Sequence, residues 1–420
     1  NMPNPVGWLR VVLALLLAAA LGARAAAQEV TLRLRTGAST EAHLWQAVVD
    51  AFEEKYPHIS VEYELAGSFD ELIVQMVSGV APDVVGLQEI QIMQLLASEL
   101  LLPLDPYVEQ EPELLEDLFP VATLVARDRQ GRLFGFPTAF SSLLWYYDQD
   151  MFDQAGVPYP DENWWWDPAT GGSFVETAKK LTRDRSGDGQ IDEWGMVLPS
   201  SWSRYLPFIV QNGGYYWDPE QTRSTIEDDG FVGAIDFLAS LVHDARVTPP
   251  PGVSAGAFGS GSVAMYYSGR WEVPHLRQTS TRRWDVAVPP AGPAGRAATV
   301  GAGYSAITRS TAYPDEAWLL LKFLASEESY RIRDQGGQTV PPMRSLAVSD
   351  FFLGSTPPEN NLAFIEVMAY GATIPLHPKW PEINDVVHPQ ILRVLRGETS
   401  ARIALGEVSH HVTAILHSEP

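Results

Sequence analysis

The chain has 420 residues, with 29 Lys and Arg against 52 Asp and Glu, a formal net charge of −23 at pH 7, 45% hydrophobic content and no cysteine. That length and apolar fraction fill two cores rather than one. The missing cysteines exclude disulfides, thiolate metal sites and a lipid attached through a cysteine. The acidity argues against a nucleic-acid partner, whose phosphates ask for basic patches, and favours a neutral or cationic ligand over an anionic one.

In chain order, Arg10 precedes an apolar run over residues 11–21 that ends in GARAAAQ. This pattern predicts a secretory signal over residues 1–27 and export to the periplasm, because the run falls short of the about 20 apolar residues that a membrane span needs. An uncleaved anchor is the alternative. From Val30 short strands alternate with longer amphipathic segments, the pattern of a mainly parallel sheet covered by helices. A strand over residues 30–35 leads through a polar loop to a helical pattern over 41–56, in which Leu44, Val48, Val49 and Phe52 recur at helical spacing. Ser39 and Thr40 stand where strand end and helix start meet; they read equally as N-caps or as donors to a ligand hydroxyl. His43 reads as a surface residue. A third strand, over residues 83–87, ends at Gln88 and Glu89, which it delivers to the same edge.

Residues 136–141 interrupt an apolar stretch and are read as a first crossing between two lobes, with Phe140 and Ser141 bordering a cleft. Trp164, Trp165 and Trp166 are consecutive and cannot all face one core, so at least one belongs on a surface or lip. Ser173 and Glu176 have the spacing of a capping box for the following helix. In DRSGDGQIDEWG, Asp184, Ser186, Asp188, the Gln190 carbonyl and Asp192 take alternate positions of an EF-hand-like loop, with Gly189 at the sharp turn. Gly195 stands where a bidentate glutamate would close the loop. The reading is therefore either a structural calcium site of modest affinity or a tight Asx and glycine turn; no other cofactor is implied.

Trp202 lies just past a strand end and before a helix. In FGSGSVAMYYSGRW, residues 258–271, a buried strand is followed by a Ser268-Gly269 turn that presents Trp271 beyond the strand end, either as a binding platform or as a core residue. Residues 284–290 form a strand ended by two prolines, read as the second crossing. Gly301, Gly303 and Tyr304 let backbone approach a ligand closely, with the Tyr304 ring and hydroxyl beside it. Residues 336–342 form the third crossing. Arg344, just past it, is read either as a fork onto vicinal hydroxyls or as a surface ion pair.

The segments APDVVGLQ (81–88), FGFPTAFSSLLWYYD (134–148), FGSGSVAMYYSGRW (258–271), DVAVPPAGPAGRAATVGAGYSAI (285–307) and AWLLLKFLASEE (317–328) resemble, in order and spacing, the extracellular solute-binding proteins of ABC sugar importers, the family that includes maltodextrin-binding proteins. Two features depart from its pattern: Asp148 stands where an asparagine is common, and DPATGG (167–172) lengthens a usually shorter segment. The resemblance implies an α/β, two-lobed periplasmic binding protein fold of type II, with the ligand cleft between lobes joined by three crossovers. Lobe I would hold residues 28–138 and 289–338, and lobe II residues 139–288 and 339–420. It further implies a monomer without a lipid anchor that binds a sugar or oligosaccharide by hinged closure and hands it to a membrane permease. Trp271 matches the tryptophan of the family's G-x-W segment, and Trp202 the place where related sugar binders present an aromatic. The ligand-binding set is then Ser39, Thr40, Gln88, Glu89, Phe140, Ser141, Trp202, Trp271, Gly303, Tyr304 and Arg344. A non-sugar solute such as a polyamine or phosphorylated polyol is the alternative ligand. A two-carboxylate glycosidase is the remaining alternative, since the chain lacks the G-x-S-x-G, Walker and H-E-x-x-H motifs.

Overall fold

A computed structural model describes residues 30–38, 41–254 and 256–418. Ser39, Thr40 and the expected signal over residues 1–27 lie outside the described residues. β1 (Val30–Thr36) alternates buried and exposed positions at its start, with Leu32 and Leu34 inside, and pairs in parallel with β2 (Ile59–Leu65) and β3 (Val84–Gln88). The helix Ala42–Lys55 between β1 and β2 turns Val48, Val49 and Phe52 inward as read from the sequence, with Trp45 buried beside them and the expected Leu44 only half-buried.

The long strand β4 (Phe136–Asp148) organises the rest. Its 13 residues, about 40 Å of extended chain, serve two sets of partners. Its first half runs antiparallel to β7 (Ala298–Ile307), which in turn pairs with β3. Its second half runs antiparallel to β5 (Met265–Gly269) and β6 (Trp284–Ala287). The start of β7 also pairs with β8 (Gly371–Ala372). One hydrogen-bonded network therefore threads two lobes: β1, β2, β3 and the adjoining halves of β4 and β7 in the first, and β5, β6 and the remaining half of β4 in the second.

Residues 284–290, read above as the second crossing, form β6 and its exit beside the second half of β4. Ala291 donates to the Trp164 carbonyl at 3.1 Å and Ala294 to the Gln211 carbonyl at 2.7 Å, which keeps this segment on the second lobe until β7 begins. β7 makes the passage, from Ala298 opposite Gly371 to Ile307 opposite Val84. In the third passage Val340 and Phe140 exchange backbone hydrogen bonds, and Phe119 donates to the Pro342 carbonyl.

Aromatic packing dominates the second lobe. Trp145 meets Trp164 and Phe174 edge-on, and Trp166 stacks on Phe237 with centroids 4.2 Å apart. Both buried indoles of the consecutive three find acceptors, Trp164 at the Val288 carbonyl and Trp166 at the Gln211 side chain, while Trp165 between them faces out. The capping box expected at Ser173 is not formed. The helix begins one residue earlier, at Gly172, behind Gly171 in a left-handed conformation, and the Ser173 hydroxyl accepts from the Trp165 N–H instead. Asp148 caps the helix Gln149–Ala155 by accepting from the Met151 N–H, and Arg282 forks onto its carboxylate. No helix among the described residues is long and apolar enough to cross a membrane.

Candidate ligand-binding site

The parallel strands β1, β2 and β3 end together, and a cavity of about 470 Å³ opens there. In open α/β sheets the carboxyl ends of the strands face the ligand crevice, which singles out this cavity. A second concavity of about 530 Å³, between residues 213–228 and Thr373 and Leu376, lies away from these strand ends. The first cavity takes Thr36, Gly37 and Ala38 from the end of β1, Ala66 and Gly67 after β2, and Gly86 to Gln88 from β3. Thr138 and Ala139 of β4, Gly303 and Tyr304 of β7, and Gln338 and Thr339 also line it, so all three passages between the lobes border it.

Its lining mixes apolar side chains such as Leu44 with polar groups that are already held by protein partners. Gln338 donates to the Glu41 carboxylate at 2.6 Å across the lip. Gln88 is exposed and forms a reciprocal cap with Gln91 at the start of the helix Glu89–Leu95. Asp334 is buried and accepts from the N–H groups of Gln338 and Thr339 and from the Tyr330 hydroxyl. Burial raises the Asp334 carboxyl above its ordinary range, against these hydrogen bonds. Arg333 stacks its guanidinium on the Trp45 ring at 4.8 Å, and burial lowers its pKa. Gly37 is needed here, because a Cβ would lie 2.4 Å from the Trp45 ring.

The other residues singled out from the sequence are placed as follows. Ser39 and Thr40 adjoin Ala38 of this cavity but lie outside the described residues. The Glu89 carboxylate lies over β7, accepts from the Ala302 N–H at 3.1 Å and fills the space that a side chain at Gly301 would need. Burial pushes its pKa up to about 8. Tyr304 borders the cavity, but its ring is buried and its hydroxyl donates to the Ala122 carbonyl, so what it offers there is chiefly backbone. Phe140 is buried against Phe119, and the Ser141 hydroxyl is buried without a partner among the described residues. Arg344 is exposed and is tied to the Glu116 carbonyl, away from the cavity.

On the second lobe, Trp271 is 45% exposed. Its ring lies across Gly269, where any Cβ would fall 2.0 Å from a ring carbon. Trp202 opens the helix Trp202–Gln211, partly buried, with its ring edge-on to Trp380 at 5.8 Å. A polar network joins these two positions. Arg204 donates to the Tyr267 carbonyl at 2.9 Å and reaches the Tyr266 and Ser268 hydroxyls, which both donate to Glu272.

In the loop 184–192 the carboxylates serve the loop itself: Asp184 accepts from the Gly187 and Gly189 N–H groups, Asp188 from Gln190, and Asp192 from Arg185 and Ser186. Among the described residues no group of three or more His, Asp or Glu converges as a metal site.

Sequence reasoning missed Glu41, Arg204, Glu272, Arg333 and Gln338. Arg204 and Glu272 had a signal in their nearness to Trp202 and Trp271. Arg333 and Gln338 had none, since their partners Thr138 and Glu41 are 195 and 297 positions away.

The family model for bacterial extracellular solute-binding proteins matches residues 37–331. A binding protein of Brucella abortus is 23% identical over 97% of this chain and 98% of its own length. An arabinooligosaccharide-binding protein of Bacillus subtilis is 23% identical over 53% of this chain and 52% of its own. The solved structure of an ABC substrate-binding protein of Listeria monocytogenes in complex with cycloalternan superposes with a TM-score of 0.80 at 24% identity, covering 93% of this chain and all of that one. The fold is thus the two-lobed α/β binding-protein fold with the ligand cleft between its lobes. With that architecture and a family match that spans most of its length, the chain belongs to the bacterial extracellular solute-binding proteins.

Proposed function

We propose that the chain is the periplasmic sugar- or oligosaccharide-binding component of an ABC importer, and that it delivers its ligand to a membrane permease pair after hinged closure. The observation that carries this reading is the combination of an exposed indole, Trp271, on one lobe with a cavity of hydroxyls, amides and carboxylates at the strand ends of the other. A sugar ring has one face of C–H groups, which an indole covers, and a rim of hydroxyls, which need fixed donors and acceptors. Relatives named for cycloalternan and arabinooligosaccharide binding support the same class.

In this reading the strand-end cavity orients hydroxyls while Trp271 covers a ring face, and the ligand favours the closed form because only there does it touch both lobes. The lobes are taken as residues 28–138 and 298–338 against 139–297 and 339–420, the boundary expected after residue 288 being moved to the start of β7, with residues 1–27 as the export signal. Thermal-shift screening against mono- and oligosaccharides, polyamines and phosphorylated polyols tests the ligand class, since binding to the native state raises its melting temperature. The expected outcome is stabilisation by a neutral saccharide together with a smaller radius of gyration in solution scattering. Stabilisation by a polyamine alone overturns the reading.

A further inference from the structure

Arg333 ends the helix Glu327–Arg333, three residues before the third passage begins, and borders the strand-end cavity. Its Nη2 donates to the Thr138 carbonyl at 2.9 Å and the Leu324 carbonyl at 3.3 Å, and its Nε reaches the Ser329 hydroxyl at 3.3 Å. The Trp45 and Tyr330 rings, at 4.8 and 5.9 Å, flank the guanidinium. The hydrogen bonds among the described residues use its Nε and Nη2 and leave Nη1 open.

Thr138 is no ordinary strand residue. The β4–β7 ladder shifts register between Pro137 and Ala139, so Thr138 drops out of the pairing and its carbonyl is available to Arg333. Bulges of this kind bend a strand locally and re-aim the groups beside it. The Thr138 hydroxyl donates to the Gly303 carbonyl on β7, which ties the first passage to the second. The neighbouring Asp334 holds the Gln338 and Thr339 N–H groups at 3.0 and 2.9 Å, at the start of the third. Two consecutive side chains at one helix end therefore hold the first and third passages at the edge of the cavity, and the Thr138 hydroxyl ties the second to the first.

We propose that Arg333 is the positioning residue through which ligand in the strand-end cavity acts on the hinge. A ligand oxygen accepting from Nη1 adds an acceptor to a guanidinium that already grips the bulged carbonyl of β4, so occupancy of the cavity is transmitted to the strand that bends. A planar fork can serve both directions at once, whereas a lysine ammonium offers a single point of attachment. The inference rests on the sugar-binding reading for the identity of the occupant, and on the bulge and its ties for the hinge.

The test compares wild type with Arg333→Gln and Arg333→Lys in two measurements. The first needs no ligand: amide hydrogen exchange in residues 138–142 and 300–304, expected to be at least about tenfold faster in both variants, while the strand interiors of β1 and β5 keep wild-type protection. The second is solution scattering with the tightest binder from maltose, maltotriose, isomaltotriose and arabinotriose; both variants are expected to bind about tenfold more weakly and, at saturation, to contract by less than half as much as wild type. Arg333→Lys preserves the charge, so its failure assigns the effect to the fork. Wild-type exchange at residues 138–142 in both variants overturns the hinge assignment, and full contraction in both at saturation overturns the coupling. If none of the four sugars stabilises the wild-type protein, the sugar reading falls, and the exchange measurement alone decides whether Arg333 holds the hinge.

Discussion

The strand-end cavity and the surface around Trp271, which the proposed function makes the facing wall of the cleft, are built from opposite materials. In the cavity the one indole, Trp45, is nearly buried, with Arg333 over its face and Gly37 against its edge, and the polar groups that share the lining with small and aliphatic side chains are held by protein partners. On the wall the indole is exposed, and the polar groups beside it, Arg204 and Glu272, are paired through Tyr266 and Ser268. Prefixed polar groups recognise hydroxyl geometry at little ordering cost, whereas an open ring supplies contact area that tolerates differences between sugars. Under the proposed function, this difference would place selectivity in the first lobe and much of the affinity in the second.

Removing the wall's ring gives the largest expected effect on binding. Covering a sugar face with the indole is worth on the order of 1.5 to 3 kcal/mol, so Trp271→Ala should weaken binding by roughly ten- to a hundredfold in titration calorimetry. Because the ring is already 45% exposed, the melting temperature of the ligand-free protein should hardly change. Trp202→Ala sharpens the contrast. Its ring packs edge-on to the buried Trp380, so this variant should lose about tenfold in affinity and also melt several degrees lower. Intact affinity in a strongly destabilised Trp271→Ala protein would make the ring a packing residue and end the assignment of affinity to the wall.

How much of this was legible in the sequence depends on the range of the interaction concerned. The parallel start of the sheet, the helix behind β1 and the exposed Trp271 followed from local periodicity and turn chemistry, because each is decided within about fifteen residues. The passage along β7 was placed too early: the prolines after β6 resemble a boundary, and the tether from Ala291 and Ala294 to Trp164 and Gln211 joins residues 80 and more positions apart. The cavity's charged groups were invisible for the same reason. Tyr304 shows the reverse case, since its hydroxyl looked available until the fold brought the Ala122 carbonyl to it.

Glu89, over β7, gives a pH-dependent effect of intermediate size. Its pKa is about 8 in the folded protein against an ordinary value of 4.5, because burial outweighs the single hydrogen bond from Ala302. Between those two values the native state holds a proton that the unfolded chain has released, so unfolding free energy falls as pH rises from about 4.5 to 8. The stabilising contribution is complete below the lower value and lost through the upper one. Glu89→Gln should flatten that part of the stability curve, measured by urea unfolding at a series of pH values. An unchanged slope would mean that the carboxylate is already charged beside β7.

At the lip of the cavity, Gln338→Ala removes the contact to Glu41 but no part of the sheet. Affinity should fall by only about two- to fivefold, mostly through faster dissociation in stopped-flow measurements, because exposed polar contacts contribute modestly. The larger expected change is in selectivity: the ratio of affinities between sugars differing at one hydroxyl should narrow in this variant and stay constant in Trp271→Ala. Equal narrowing in both would erase the division of labour between the lobes.

The smallest effect belongs to the loop 184–192, remote in role from both regions. Each of Asp184, Asp188 and Asp192 accepts N–H groups of the loop itself, yet a carboxylate has about four lone-pair sites, so capacity for a cation remains. We propose that calcium draws these carboxylates, which do not converge as a metal site on their own, into a structural site of modest affinity, in which Gly195 supplies no bidentate carboxylate at the closing position. With a dissociation constant on the order of 0.1 mM, 1 mM calcium added after chelation should raise the melting temperature by about 2 °C, and Asp188→Asn should abolish most of the increase. Sugar affinity should be the same with calcium or chelator, since neither the cavity nor the Trp271 wall draws a residue from this loop. Identical melting curves in calcium and chelator would leave the loop as a turn closed by its own amides.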